Sequence, residues 1–81
     1  MLTLYFKNTC YYCHKVRLFA TKNGIDLGLK DVQADQSAKG ELIDLGGKTQ
    51  VPFLVDAGRN ISMYESDDII EYLRTHYAHQ G

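Results

Sequence analysis

The chain has 81 residues with nine basic against ten acidic side chains, so no charge surplus recruits nucleic acid or an anionic membrane. At 44% apolar and 23% charged residues the composition is that of a folded domain, which excludes a disordered tail, and the length suits a single domain over residues 1–81. No apolar run approaches the ~20 residues of a membrane span. The start, Met1-Leu-Thr-Leu-Tyr-Phe6, has neither a basic leader nor a small-residue cleavage site, so a cytoplasmic protein is expected.

Leu2–Phe6 is apolar and aromatic and predicts a buried strand. Asn8-Thr9 then signal a helix start, with Thr9 as N-cap before Cys10. From Cys13 to Asn23, Cys13, Val16, Phe19 and Ala20 share one helical face while Lys15 and Lys22 fall opposite. Gly24 is placed to end that helix in a left-handed conformation. Ile25–Val32 reads as a second strand, weakened by Gly28, with Leu27 and Leu29 on one side.

Ser37–Leu45, begun as early as Asp35, predicts a second helix with Leu42, Ile43 and Leu45 as its apolar residues and Gly46-Gly47 as its stop. Gly40 in its middle costs roughly 1 kcal/mol against Ala. Phe53–Val55 and Ile61–Tyr64 flank a turn-rich link, Asp56–Asn60, and together predict an antiparallel hairpin. Ser66 is read as the cap of a last helix whose start is favoured by Asp67, Asp68 and Glu71 and whose packing residues are Ile69, Ile70, Leu73 and Tyr72. The tail after Tyr77 is expected to fray. The order β-α-β-α-β-β-α implies an α/β fold: a right-handed parallel crossover, then a hairpin, in a mixed sheet of about four strands with helices on both faces.

Two cysteines three positions apart cannot staple distant parts of a chain, so the Cys10/Cys13 pair is chemical. Cys10 would stand at the mouth of a helix, where unpaired N–H groups and the dipole favour a thiolate, and Lys7 adds positive charge nearby. Cys13, one turn inside, is placed to attack a mixed disulfide formed at Cys10. Two other readings stay open: half of a zinc site completed by His14, His76 or His79, or two cysteines that merely pack. His14 reads as a solvent-facing residue rather than a base.

Lys7-x-x-Cys10-x-Tyr12-Cys13 after a short strand resembles the active-site stretch of dithiol glutaredoxins. Thr49-Gln-Val-Pro52 is similar to their Thr-Val-Pro loop, and Ser66-Asp67 to their second glutathione-binding segment. The resemblance implies a thioredoxin-like fold with a cis Pro52 and glutathione as reducing co-substrate. It assigns Lys7, with Gln50, to the glycyl carboxylate, Val51 to the cysteinyl backbone, and Ser66 and Asp67 to the γ-glutamyl end. Protein disulfides and protein–glutathione mixed disulfides are the implied substrates, a monomer the implied state, and no resident metal is implied.

Two departures qualify this. Tyr11 stands where such glutaredoxins carry proline, a substitution that in some members accompanies a [2Fe–2S] cluster shared through glutathione. Met63-Tyr-Glu-Ser66 with Ile69-Ile-Glu-Tyr-Leu73 also resembles the N-terminal domain of glutathione transferases, whose Glu-Ser pair makes Glu65 a further ligand. A complete transferase has an additional helical domain, so an 81-residue product is expected to lack that activity. The rival functions are a [2Fe–2S] carrier and a thioredoxin-like reductant served by a flavoprotein reductase.

Overall fold

Odd and even positions of the first strand serve opposite faces, and that alternation organises the rest of the molecule. The structure is a computed structural model that describes residues 2–78. Its elements are β1 (Leu2–Phe6), α1 (Tyr11–Lys22), β2 (Gly28–Asp31), α2 (Gln36–Gly46), β3 (Phe53–Asp56), β4 (Ile61–Tyr64) and α3 (Ser66–His76). The sheet order is β2-β1-β3-β4, with β1 parallel to β2 and antiparallel to β3, and β3 antiparallel to β4. The mixed sheet and element order are those expected, and the fold is thioredoxin-like. Among the described residues, no helix is long and apolar enough to cross a membrane.

Leu2, Leu4 and Phe6 of β1 and Leu54 of β3 point to one face and pack with Cys13, Val16 and Ala20 of α1 and Ile69 and Leu73 of α3. Tyr5 and Phe53 point the other way, against Ala38 and Leu42 of α2. Enclosing each large aliphatic side chain contributes about 1.5–3 kcal/mol, so these positions dominate stability. The polar end of Tyr5 is also used: its hydroxyl donates to Glu41 Oε1 at 2.9 Å, and Lys30 Nζ donates to the same oxygen at 2.6 Å. That cluster ties α2 to the first two strands.

Several boundaries and faces differ from expectation for identifiable reasons. Ile25 is in the core but not in a strand, because its N–H bonds to Ala20 O at 2.9 Å and completes the end of α1. Gly24, at φ +66°, makes the left-handed turn expected of it, and β2 then begins only at Gly28. On α2 the buried positions are Ala38 and Leu42, one turn apart. Ile43 and Leu45 lie about 100° and 300° round the helix from Leu42 and stay exposed. Asp35 caps α2 through Ser37 N–H at 2.9 Å, and Gly47, at φ +84°, closes it.

Asp56, read as turn, is the last residue of β3 and wholly buried. Ser66 is not the cap of α3. Glu65 holds that position with φ +73°, which turns the chain so sharply that Ser66 is already helical and buried. Ala78, in the tail expected to fray, packs against the core beside Tyr77. Residues 79–81 of the expected frayed tail lie outside the described residues.

Two glycines of α2 have opposite consequences. A Cβ at Gly40 meets nothing within 4 Å, whereas one at Gly46 would stand 2.1 Å from Tyr64 Oη and 3.1 Å from Phe53 Cε1. Gly40→Ala is therefore expected to raise stability by about 0.5–1 kcal/mol. Gly46→Ala should lower it by about 1–3 kcal/mol through overpacking, despite the better helix former. Urea midpoints of the two variants check both signs.

Candidate functional site

Strand β1 delivers the chain to the site and α1 begins there. Cys10, not Thr9, is the N-cap of α1: its backbone is extended (φ −96°, ψ 115°) and its Sγ accepts the Cys13 N–H at 3.3 Å. The group satisfying the helix end is thus a sulfur in place of the usual hydroxyl or carboxylate oxygen. Cys10 N–H in turn donates to Lys7 O at 3.2 Å, which fixes the entry turn.

Cys13 is fully enclosed. Burial first, then its hydrogen bond with Cys10, pushes its thiol up to about 12, against an opposing backbone contact from Lys7. Both cysteines are free thiols, one half-buried and one buried. The pair is thus an accessible sulfur at a helix end with a protonated sulfur behind it.

Beside this pair lies a cavity of about 410 Å³. Tyr12 forms one wall, Gln50, Val51 and Pro52 the next, and Glu65, Ser66 and Asp67 the third. The Val51–Pro52 peptide bond is cis. The first turn of α3 borders the cavity, and the unpaired N–H groups of a helix start favour an anion. Gln50 Nε2 donates to Glu65 Oε2 at 3.0 Å, so the loop before β3 is tied to the loop before α3.

Lys7 stands apart from the other residues marked in the sequence. It lines a separate hollow of about 230 Å³ with Gln33, Gln36, Lys39 and Thr49. The Thr49–Pro52 loop separates the two spaces, since Thr49 faces one and its three successors the other. Lys39 and Gln36 were not marked in the sequence, and only the packing of α2 brings them beside Lys7. Lys15 was also passed over. Its Nζ reaches Asp67 Oδ1 at 2.9 Å across 52 residues of sequence, a separation at which no local pattern signals a contact.

Tyr11 takes the first helical position, where proline is otherwise favoured. It is 72% exposed and meets the Tyr12 ring edge-on at 5.4 Å. Among the described residues, no group of three or more His, Cys, Asp or Glu side chains is arranged to hold a metal ion. His14 instead stands 2.7 Å from the Asn8 carbonyl and His76 lies against Tyr72, while His79 is outside the described residues.

A mixed four-stranded sheet, a thiol capping the first helix and a cis proline loop beside a polar cavity define a thioredoxin-fold domain. The chain belongs to the glutathione S-transferase N-terminal domain family, whose profile matches residues 4–81. The family is therefore the second of the two resembled in the sequence, and a specific membership among glutaredoxins is not what the match supports.

A stringent starvation protein A homolog of Coxiella burnetii is 32% identical over 79 residues, 98% of this chain and 36% of that protein. Among solved structures, a delta-class glutathione transferase of Nilaparvata lugens superposes with a TM-score of 0.80 at 33% identity, covering 99% of this chain and 38% of that one. Human glutathione transferase theta-2, solved in complex with glutathione, superposes with a TM-score of 0.80 at 29% identity, covering 95% and 32%. The chain thus spans about a third of the length of these relatives.

Proposed function

We propose that this domain binds glutathione and uses Cys10 for glutathione-dependent thiol–disulfide exchange on protein–glutathione mixed disulfides and protein disulfides. The observation that carries the reading is Cys10 Sγ acting as the cap of α1, with its lone pair engaged by the Cys13 N–H at 3.3 Å beside the cavity. The domain family and the glutathione-bound theta-2 relative support the choice of ligand.

In this reading Val51 pairs with the cysteinyl backbone of glutathione, and Ser66, Asp67 and Glu65 hold its γ-glutamyl end. Lys7, with its neighbours Gln36 and Lys39, takes the glycyl carboxylate on the far side of the Thr49–Pro52 loop, while Gln50 stays on the cavity side beside Glu65. Tyr12 closes the side of the cavity.

The Cys10 thiolate attacks the glutathione sulfur of a mixed disulfide, forming a Cys10–glutathione disulfide and expelling the protein thiolate, which takes a proton. A second glutathione thiolate then attacks the glutathione sulfur, releasing oxidised glutathione and restoring the Cys10 thiolate. Cys13, enclosed behind Cys10, resolves the same intermediate by attacking the Cys10 sulfur, which forms the Cys10–Cys13 disulfide and releases glutathione.

Glutathionylated peptide, glutathione, glutathione reductase and NADPH make the direct test, read as NADPH consumption and as peptide released. Turnover accompanied by a glutathione adduct on Cys10, mapped by mass spectrometry, is the expected result. Absence of both turnover and adduct would reject the reading.

The family itself favours a second reading, in which the domain is the glutathione-binding part of a conjugating enzyme. There the glutathione thiolate attacks an electrophile and Cys10 only donates a hydrogen bond to it. Cys10→Ser separates the two, because a hydroxyl preserves that donor but cannot carry a mixed disulfide.

A further inference from the structure

Both acidic side chains in the wall of the 410 Å³ cavity are held by a partner from another element. Glu65 accepts from Gln50, and Asp67 accepts from Lys15 Nζ, on α1, at 2.9 Å. The second pair is open to solvent, with side-chain exposures of 42% for Lys15 and 84% for Asp67. An ion pair so exposed adds little to folding. What it does is set a cation and an anion side by side where Asp67 borders the cavity.

We infer that Lys15 and Asp67 together form a receptor for the zwitterionic α-amino-acid head of a γ-glutamyl group, Asp67 taking its ammonium and Lys15 its α-carboxylate. This rests on the glutathione reading above and names a ligand contact that reading did not include. Glu65 and Asp67 alone would present two negative charges to the ligand's carboxylate; Gln50, the partner of Glu65, is neutral, and Lys15 is the ammonium that reaches Asp67.

On entry the Lys15–Asp67 contact opens, and each side chain exchanges one charge-assisted hydrogen bond for another. Neither ion is left unpaired, so the exchange carries little desolvation cost. The first turn of α3, which supplies Ser66 and Asp67 to the cavity wall, offers helix-start N–H groups that add to the hold on the carboxylate. A thiol lacking either head charge leaves one partner without its new bond, so γ-glutamyl thiols are selected over cysteinylglycine and simple alkyl thiols.

Calorimetric titration with S-methylglutathione, which cannot exchange with Cys10, and with its S-methylated 4-aminobutyryl analogue, which lacks only the α-carboxylate, tests the assignment. Wild type should bind the analogue about tenfold more weakly, the scale of one charge-assisted hydrogen bond. Lys15→Met should weaken S-methylglutathione by about the same tenfold and leave the analogue unchanged, because the partner it lost is already absent. Lys15→Arg should restore most of the affinity.

Equal weakening of both ligands in Lys15→Met would overturn the inference, since Lys15 would then act only by holding Asp67 in place. No weakening of S-methylglutathione would overturn it as well. If wild type binds S-methylglutathione not at all, the glutathione reading itself fails, and the inference with it.

Discussion

Replacing Cys10 by Ser is expected to remove the proposed reduction of glutathionylated peptide, a loss of at least about a thousandfold, because a hydroxyl at this position cannot form the covalent intermediate. Cys13→Ser is expected to keep most of that activity and to lose reduction of substrates that need an intramolecular dithiol. The asymmetry follows from geometry. Cys10 Sγ is half-buried and receives the Cys13 N–H, while Cys13 is enclosed among core residues. Replacing the latter's sulfur with oxygen leaves the backbone donor to Cys10 intact.

The same asymmetry has a chemical readout that does not depend on substrate. With its thiol pushed up to about 12, Cys13 stays protonated at pH 7–8. Iodoacetamide at pH 7.5 should alkylate Cys10 alone, as mapped by peptide mass spectrometry, and labelling of Cys13 should appear only as pH climbs towards that value. Equal labelling of both cysteines at pH 7.5 would contradict the assigned roles. Conjugation of glutathione to an electrophile that survives Cys10→Ser undiminished, with disulfide exchange absent in wild type, would favour the transferase reading instead.

The second large effect is expected at Asp56, far from the thiols. Its Oδ2 accepts the Tyr72 hydroxyl at 2.6 Å and the Tyr77 hydroxyl, and Arg59 Nε lies 4.0 Å away. The carboxylate thus joins the end of β3 to α3 and to the residue that caps it. Asp56→Ala should cost about 2–4 kcal/mol, because two phenols lose a charged acceptor and a cavity opens. Against a total near 0.1 kcal/mol per residue that is a large share, equivalent to a fall in Tm of roughly 10–25 °C. Asp56→Asn retains an oxygen for both phenols and should cost about half as much, the difference measuring the charge.

Acid unfolding supplies the sign test. Burial pushes the Asp56 carboxyl up, but the two phenols and the Arg59 backbone outweigh it and hold it below the ordinary carboxylate range. A folded value below the unfolded one means that this contribution is complete above about pH 4 and is lost as pH falls through the folded value. Asp56→Asn should therefore flatten that part of the stability profile, measured by urea titration between pH 2 and 7. A profile that keeps the wild-type slope would remove Asp56 from the acid response.

Much of the fold was legible because its signals are local. β1 and β4 were bounded correctly, since a two-residue alternation and the flanking turns are written in the strands themselves. The two glycines that close α1 and α2 were legible for the same reason, left-handed backbone being a property of one residue. The start of α1 was missed by one position because a thiol was not considered as a cap, although Cys10 was already marked for its chemistry. The length of β2 was missed because Ile25 is apolar for the core and not for the sheet, a distinction that alternation alone does not make.

Contacts that depend on distant elements were out of reach. Nothing around Asp56 distinguishes a buried acceptor from a turn residue until Tyr72 and Tyr77 are folded against it. Gly46 was read as a helix stop, yet it is the packing of Tyr64 that leaves no room for a Cβ there. Leu42, Ile43 and Leu45 were equally apolar candidates, and only the position of the sheet selects the first.

The sequence by itself determined the α/β class, the strand and helix order and the choice of Cys10 and Cys13 as the candidate pair, since each is a matter of residue type at short spacing. Tertiary structure decided which of the two thiols is enclosed, that Lys7 lies in a hollow apart from the other marked residues, and that Lys15 meets Asp67. Burial and cross-element charge pairing exist only once the helices are laid on the sheet, and no neighbourhood in the chain records them.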